Sequence, residues 1–210
     1  MRTLAIETAS EACSIALFGA DGGVLAHDHR VIGRGHAEAL VPMIAALPDK
    51  GQAPRILVSL GPGSFTGVRI GLATARALGL AWGAKVLGYP TLALVAAMAR
   101  QQQGDSAVTV CMHGGHGEWF VGDFDSQGLP QGDTASLTPE AALARRSHPL
   151  IAGNRAEPWV AQRGEGIALA LLPDASQALA IPEALLTRDL APIYGRGPDA
   201  MPLAQQQATP

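Results

Sequence analysis

The sequence predicts an α/β fold built from two lobes, the first complete and the second a reduced copy of it. Two observations lead to this prediction. Three strand-like runs open the chain and are followed by alternating helix and strand patterns, and further strand-like runs begin after a polar break at residues 101–105. The chain has 210 residues, of which 48% are hydrophobic and 16% charged, so it can bury a core of this size.

The first lobe is assigned to residues 1–103 from its turns and apolar runs. Turn residues separate the three opening runs, which predicts an antiparallel meander. Pro42 lies inside the first helical pattern and predicts a kink there. The predicted elements are, in order, strands 3–6, 12–18 and 24–29, helix 36–47, strand 55–60, helix 66–82, strand 85–89 and helix 91–102.

This order, β-β-β-α-β-α-β-α, is the repeating half of the actin-like ATPase (ASKHA) fold, which Hsp70-like and sugar-kinase-like proteins share. The second lobe is assigned to residues 104–197 and is expected to be a truncated copy. Residues 198–210 are rich in proline and glutamine and predict a frayed tail. The second-lobe elements are predicted as strands 107–112, 119–124 and 150–152 and helices 139–146 and about 164–171.

A glycine-containing loop connects strand 55–60 to helix 66–82. Gly61, Gly63 and Gly67 let backbone N–H groups turn toward one point, and the helix start adds a positive dipole, so the loop could cradle an anion. The glycines could equally serve a tight turn into a closely packed helix, because the lysine of a P-loop is absent. Ser64 or Thr66 is suited to cap that helix.

The helix after this loop carries small residues every four positions, at Gly67, Gly71, Ala75 and Gly79. Each glycine inside a helix lowers helix stability by roughly 1 kcal/mol relative to alanine, so a stripe of several glycines indicates a packing or functional constraint. Close approach of another backbone is the usual reason, and we predict a helix–helix interface in or beside this stripe. Arg69 lies near the positive end of the helix, which favours a nearby acidic group or anion.

Four segments resemble the TsaB family, the dimerisation subunit of the bacterial tRNA threonylcarbamoyladenosine machinery. The resemblance is dense over residues 1 to about 100, and weaker similarities follow at residues 117–120 and 192–196. The four segments are residues 4–17, 35–44, 61–71 (GPGSFTGVRIG) and 88–93.

The resemblance implies a non-catalytic scaffold in the cytoplasm. Proteins of this family pair with the related catalytic subunit TsaD through their two N-terminal helices, and they support transfer of a threonylcarbamoyl group to the adenosine beside certain tRNA anticodons. A TsaE-type ATPase joins that assembly, and TsaC makes the threonylcarbamoyl adenylate. A homodimer that uses the same helices is a further interpretation. The expected interface residues are His36, Leu40, Arg69, Gly71, Ala75 and Gly79, although His36 could instead cap its own turn.

Catalytic and metal-binding residues are not predicted. ATPases of this fold carry an aspartate at the end of the first strand and a second one in the other half. Here Glu7 takes the first position, and alignment on Gly117 and Glu118 places His113 at the second, where a histidine is a poor ligand for Mg²⁺.

The alternative function is enzymatic. The chain would then be a divergent sugar or acyl kinase, or an ATPase, that binds phosphate through its first-lobe carboxylate and its glycine loop. Binding of ATP or ADP is an alternative under this interpretation. The residues of that site would be Glu7, Gly61, Gly63, Ser64, Thr66 and Gly67.

Histidine, cysteine and charge patterns limit the other possibilities. His113 and His116 have a spacing that metal ligands use, but further ligands are missing and a solvated turn fits better. Cys13 and Cys111 lie in apolar runs and are expected to be buried. The net charge of −3, with lysine only at positions 50 and 85, indicates that tRNA is contacted through partner subunits. A secretory signal or a membrane span is not expected.

Overall fold

The computed structural model describes residues 1–195. Its strands are β1 (Thr3–Glu7), β2 (Ala12–Phe18), β3 (Val24–Val31), β4 (Arg55–Ser59), β5 (Lys85–Tyr89), β6 (Val108–His113), β7 (Trp119–Phe124), β8 (Ala135–Leu137), β9 (Leu150–Ala152) and β10 (Ile167–Leu169). Its helices are α1 (His36–Ala46), α2 (Phe65–Trp82), α3 (Thr91–Gln103), α4 (Pro139–Ala144) and α5 (Ala156–Arg163). The predicted tail, residues 198–210, lies outside the described residues.

The two sheets have the same topology. The first has the strand order β3-β2-β1-β4-β5 and the second β8-β7-β6-β9-β10. In each sheet the central strand pairs antiparallel with the strand that follows it and parallel with the one that comes after the first helix. The second sheet also has five strands, but it is smaller than the first. Three of its strands, β8, β9 and β10, have only three residues each.

Helices and sheets alternate in five layers. Helices α1 and α2 cover the outer face of the first sheet, where Leu40 and Leu72 pack against Ile6. Helix α3 lies between the two sheets and shares one apolar cluster with both of them. Helices α4 and α5 cover the outer face of the second sheet around the fully buried Trp159. The burial of both faces of each sheet explains why most strands read as continuous apolar runs.

The small-residue stripe of α2 is turned inward. A Cβ atom added at Gly67 would collide with the backbone carbonyl oxygen of Thr8, and one at Gly71 would collide with the Thr8 hydroxyl. Near the end of the helix, a Cβ at Gly79 would collide with a methyl group of Val86. The glycines therefore let α2 lie directly on the first sheet.

One predicted helix is wrong. Residues 164–171 contain β10, and the helix of this region is α5, which ends just before them. Gly164 and Gly166 both have positive φ values, 77° and 109°, which end the helix and turn the chain into a strand parallel to β9. The prediction also missed β8, a short edge strand beside β7. Pro42 lies inside α1, as the sequence predicts.

Residues 187–195, assigned from the sequence to the second lobe, return to the first. Thr187 and Gly88 exchange two backbone hydrogen bonds of 2.8 and 3.0 Å beside β5. Further along, the N–H of Ile193 donates to the carbonyl of Leu60 at 2.7 Å. This C-terminal segment brings Tyr194 next to the glycine loop, where it borders the site described below.

Candidate functional site

A cleft of about 1020 Å³ separates the two lobes. The β1–β2 turn and the glycine loop form its first-lobe wall, the β6–β7 turn and the start of α5 form the opposite wall, and the C-terminal segment closes one side. Two equivalent turns, one from each sheet, thus face each other across the cleft. The volume is at the upper end of the range of small-molecule sites.

The glycine loop is held mainly by the chain's own groups. The N–H of Ser64 donates to the carbonyl of Ala9 at 2.7 Å, and a Cβ at Gly63 would collide with that same carbonyl. The Ser64 hydroxyl caps α2 by accepting from the N–H of Gly67 at 3.2 Å. Because these N–H groups already have partners, the loop geometry favours the packing interpretation over an anion cradle.

The residues predicted to bind an anion are only partly brought together. Gly63 and Ser64 line the cleft, whereas Gly61 and Gly67 are buried behind it. Thr66 is exposed in the first turn of α2, does not line the cleft and is not the cap, which is Ser64.

Glu7, the last residue of β1, is fully buried near Tyr89 of β5 and does not line the cleft. One carboxyl oxygen accepts from the N–H of Ala9 at 2.7 Å, and the other lies 3.4 Å from the hydroxyl of Tyr89. Burial away from water raises the pKa of Glu7 from 4.5 to about 7, although these hydrogen bonds oppose the shift.

The positions of Glu7 and His113 do not suit the binding of a metal–nucleotide complex. Mg²⁺ at a nucleotide site is usually held by one or two carboxylates that reach the substrate phosphates, but the Glu7 oxygens are engaged inside the core. His113 occupies the facing position, at the end of β6. Within residues 1–195, three or more His, Cys, Asp or Glu side chains are nowhere grouped to hold a metal ion.

Two polar residues that the sequence did not single out bridge the lobes. The side-chain amide of Asn154 donates to both carboxyl oxygens of Glu11, at 3.0 and 3.1 Å. Its carbonyl oxygen accepts from the backbone N–H of His113 at 2.8 Å. Asn154 therefore fixes the position of the β6–β7 turn relative to the β1–β2 turn. The sequence does contain a signal for this position. Gly153 and Asn154 come directly after β9, and β9 is the strand of the second sheet that corresponds to β4, which the glycine loop follows.

An aromatic pair forms the rim of the cleft. Phe65 and Tyr194 are 56% and 53% exposed, with ring centroids 5.9 Å apart. The guanidinium of Arg69 lies 3.5 Å from the centroid of the Phe65 ring and donates to the Tyr194 hydroxyl at 3.1 Å. An acidic group or an anion is expected near Arg69 from the sequence, and the contacts that Arg69 makes within the chain are with these two aromatic residues.

Most residues predicted for the partner interface are covered by the chain's own core. His36 is 6% exposed, and its Nε2 lies 3.2 Å from the carbonyl oxygen of Ala12, which supports the local alternative. Leu40 and Ala75 are fully buried in the outer cluster of the first lobe. Gly71 and Gly79 face the sheet. Packing of α2 on the chain's own sheet therefore accounts for the small residues of the stripe, and an interface beside the stripe stays a prediction.

The neighbouring face of α1 and α2 is open and apolar. Val41 on α1 is 58% exposed and Leu80 on α2 is 88% exposed. Five of the six exposed alanines on the same two helices continue the helical spacing of these two residues, namely Ala37, Ala45, Ala73, Ala77 and Ala81. We call these seven residues the helical face. Small side chains on it would let another helix approach closely.

Both cysteines are buried, as the sequence predicts. Burial raises the pKa of Cys13 to about 11 and that of Cys111 further still, so neither is a ready nucleophile. Across the described residues, helices that are both long and apolar enough to traverse a lipid bilayer are absent.

Comparison with known proteins identifies relatives of this chain. Residues 9–145 match the family model described as TsaD: tRNA N6-adenosine threonylcarbamoyltransferase. A curated relative from Escherichia coli (strain K12), tRNA threonylcarbamoyladenosine biosynthesis protein TsaB, is 36% identical over 154 residues, which are 69% of this chain and 66% of that protein. The alignment thus spans just under two thirds of that relative.

Solved structures extend the similarity to nearly the whole chain. YeaZ from Pseudomonas aeruginosa superposes with a TM-score of 0.76 at 31% identity, covering 92% of this chain and 99% of that one. The ethanolamine utilization protein EutJ from Carboxydothermus hydrogenoformans is 10% identical with a TM-score of 0.51, a likeness of fold alone. These matches and the two equivalent sheets confirm the predicted actin-like α/β fold.

Proposed function

This chain belongs to the TsaB family, and we propose that it supports tRNA threonylcarbamoyladenosine biosynthesis in the cytoplasm as a non-catalytic partner of a TsaD-type subunit. In this proposal the chain contributes a binding surface, and the TsaD-type paralogue carries out the threonylcarbamoyl transfer. A TsaE-type ATPase and the tRNA join through the complex. A homodimer is the state of the chain when the partner is absent.

The observation that carries this proposal is the helical face. An apolar surface that includes an 88% exposed leucine is costly to leave in water, and burial of such a surface against a partner is favourable. The alanines on the face lower the entropy cost of association, because they have no rotamers to order. The face is also rigid, because α1 and α2 are anchored on the first sheet by the core cluster around Leu40 and Leu72.

The non-catalytic part of the proposal rests on Glu7. A carboxyl group that is buried and engaged with Ala9 and Tyr89 is not available to a substrate or a metal ion. The pure protein should therefore show no steady-state ATP hydrolysis in the presence of Mg²⁺. Turnover that Glu7→Gln abolishes would contradict the proposal and favour the kinase or ATPase alternative.

Co-purification with the TsaD-type protein of the same organism tests the binding role. Ala77→Arg places a charge in the middle of the helical face and should reduce association at least tenfold, with the melting temperature unchanged. Ala144→Arg, an exposed alanine at the end of α4, is the matched control and should associate normally. Undiminished association of Ala77→Arg would mean that the partner binds elsewhere.

Reconstitution with tRNA separates binding from modification. The complete set of subunits should modify tRNA only when this chain is present, and Ala77→Arg should lower the yield in proportion to its lost association. Modification at the normal rate without this chain would overturn the proposed role.

A further inference from the structure

A smaller pocket, of about 160 Å³, lies in the second lobe, away from the interlobe cleft. It is formed near the starts of β9 and β10, beside the last turn of α5, whereas the cleft is lined by Asn154, beyond the end of β9. The backbone N–H of Ile167 donates to the carbonyl of Pro149 at 2.8 Å and ties the two strands together there. The residues that line the pocket are Ser147, His148, Pro149, Ile151, Trp159, Arg163, Glu165 and Gly166.

Trp159 brings a hydrogen-bond donor to this pocket. Its side chain is fully buried, and its ring stacks on that of Trp119 with the centroids 6.0 Å apart. The indole Nε1 is buried and has no hydrogen-bond partner among residues 1–195. A buried donor without an acceptor is costly, and the pocket that Trp159 lines is a place where an acceptor can meet it. The side chains packed around the ring form an apolar cluster, which comprises Cys111, Trp119, Val121, Ala142, Ile151 and Ala156.

Arg163 places a positive charge beside this donor, since it lies four residues after Trp159 on α5 and so on the same side of the helix. Its Nη1 donates to the Ser147 hydroxyl oxygen at 2.6 Å. The Ser147 hydroxyl thus accepts from Arg163 and keeps its own hydrogen for another acceptor.

The carboxylate nearest to Arg163 holds it only loosely. A carboxyl oxygen of Glu165 lies 3.5 Å from Nε of Arg163, and the Glu165 side chain is 76% exposed. Ion pairs of this exposed kind contribute little to stability, so an anion in the pocket can take the place of Glu165.

Together these groups suit one class of ligand. The indole N–H, the guanidinium and the hydroxyl are all donors, and a carboxylate only accepts and can take a hydrogen bond on each of its two oxygens. Pro149, Ile151 and the indole ring add apolar contacts. The volume of about 160 Å³ is too small for a drug-sized ligand or a nucleotide.

We propose that this pocket binds a small carboxylate that carries a short apolar chain. Arg163 and Ser147 bind the carboxylate group, the Trp159 N–H donates to one of its oxygens, and the chain packs against Ile151. The pocket shares no residue with the helical face, so this proposal and the proposed function can fail separately.

NMR of the full-length protein with ¹⁵N-labelled tryptophan tests the proposal, with sodium butyrate as the probe. Trp159→Phe identifies the indole signal of Trp159. In the wild type that signal should shift and saturate with a Kd of about 1 mM or below, while the signal of Trp82, in the first lobe, should not move. Butyramide, which lacks the charge, and inorganic phosphate, which lacks the chain, should each bind at least fivefold more weakly. A Trp159 signal that does not saturate by about 20 mM butyrate, or a smaller preference for butyrate over either analogue, overturns the proposal.

Two glutamate variants locate the binding without disturbing the core. Glu165→Gln removes the carboxylate that competes for Arg163 and should tighten butyrate binding at least twofold. Glu157→Gln removes an exposed carboxylate of α5 outside the pocket, changes the net charge equally and should leave the Kd unchanged. The same Kd in both variants overturns the proposal.

Arg163→Gln should weaken butyrate binding at least tenfold, and its melting temperature shows whether it is folded. Normal binding by the folded variant contradicts the proposal. If the variant does not fold, the comparison of the two glutamate variants decides, because both side chains lie at the surface.

Discussion

At the scale of single residues, Glu7 is a carboxyl group placed where its neutral form fits best. The Tyr89 hydroxyl lies 3.1 Å from the carbonyl of Ile6 and 3.4 Å from a carboxyl oxygen of Glu7, and it can donate to either. The other carboxyl oxygen accepts from the N–H of Ala9. These hydrogen bonds favour the ionised carboxylate, but burial away from water disfavours it more strongly and so favours the neutral carboxyl group.

The free energy of unfolding of the Glu7→Gln variant should increase relative to that of the wild type as the pH rises. The folded-state pKa is near 7 and the ordinary value is 4.5, so from pH 4.5 to 7 the unfolded chain loses this proton first and wild-type stability falls. The fall is complete above pH 7 and amounts to about 3 kcal/mol. The side-chain amide of the variant cannot ionise, so the stability difference between variant and wild type should grow by about 3 kcal/mol from about pH 4 to about pH 8.

Urea denaturation at both pH values measures that difference. Glu157→Gln, which removes an exposed carboxylate from α5, is the control and should show no comparable growth. If the two pH values give the same difference for Glu7→Gln, folding does not raise the pKa of Glu7.

At the scale of elements, the position of α2 depends on the absence of side chains. Gly67 and Gly71 bring the helix backbone against Thr8, whose hydroxyl donates to the carbonyl of Gly67 at 2.8 Å. Helix propensity alone would favour alanine at these positions by about 1 kcal/mol each. Their glycines therefore reflect contact with the sheet and not the needs of the helix.

Gly67→Ala should destabilise the protein by about 2 kcal/mol or more, because the new methyl group meets a backbone carbonyl that cannot move aside. Gly79→Ala in the same helix meets only a side-chain methyl of Val86 and should lose less. Chemical denaturation of the two variants measures the contrast. A Gly67→Ala variant at least as stable as wild type would show that α2 can shift away from the sheet.

At the scale of the whole molecule, the charge predicts weak binding to nucleic acid. The net charge is −3, and both lysines, Lys50 and Lys85, are exposed far apart in sequence. Affinity for tRNA comes largely from cations that neutralise phosphates, so the isolated chain should not bind tRNA with a sub-micromolar Kd near about 150 mM salt. Fluorescence anisotropy with labelled tRNA checks this. Tight binding that weakens steeply with salt would mean that this chain contacts the tRNA itself.

Much of the fold follows from local pattern, because strands buried on both faces read as apolar runs and turns carry glycine. Strand β5, at Lys85–Tyr89, has the predicted bounds, and α2 begins one residue earlier than predicted. The second lobe was harder to predict, since strands of three residues such as β10 have no period to detect.

The candidate site was less predictable than the fold. The direction in which a small-residue stripe faces is decided by tertiary packing, and a helix that packs on its own sheet has the same spacing as one that packs on a partner. Asn154 and Glu11 are far apart in the sequence and meet only when the two lobes are assembled.

The return of residues 187–195 to the first lobe has a consequence for synthesis on the ribosome. When the first 103 residues have emerged, β5 still presents an open edge, because Thr187 has not yet been translated. At about 5–20 residues per second, translation from residue 103 to Thr187 takes on the order of 4–17 s, long enough for a neighbouring extended peptide to occupy that edge. The nascent chain thus passes through a stage at which the edge of β5 is unpaired, and this stage ends only when residues 187–195 have been made.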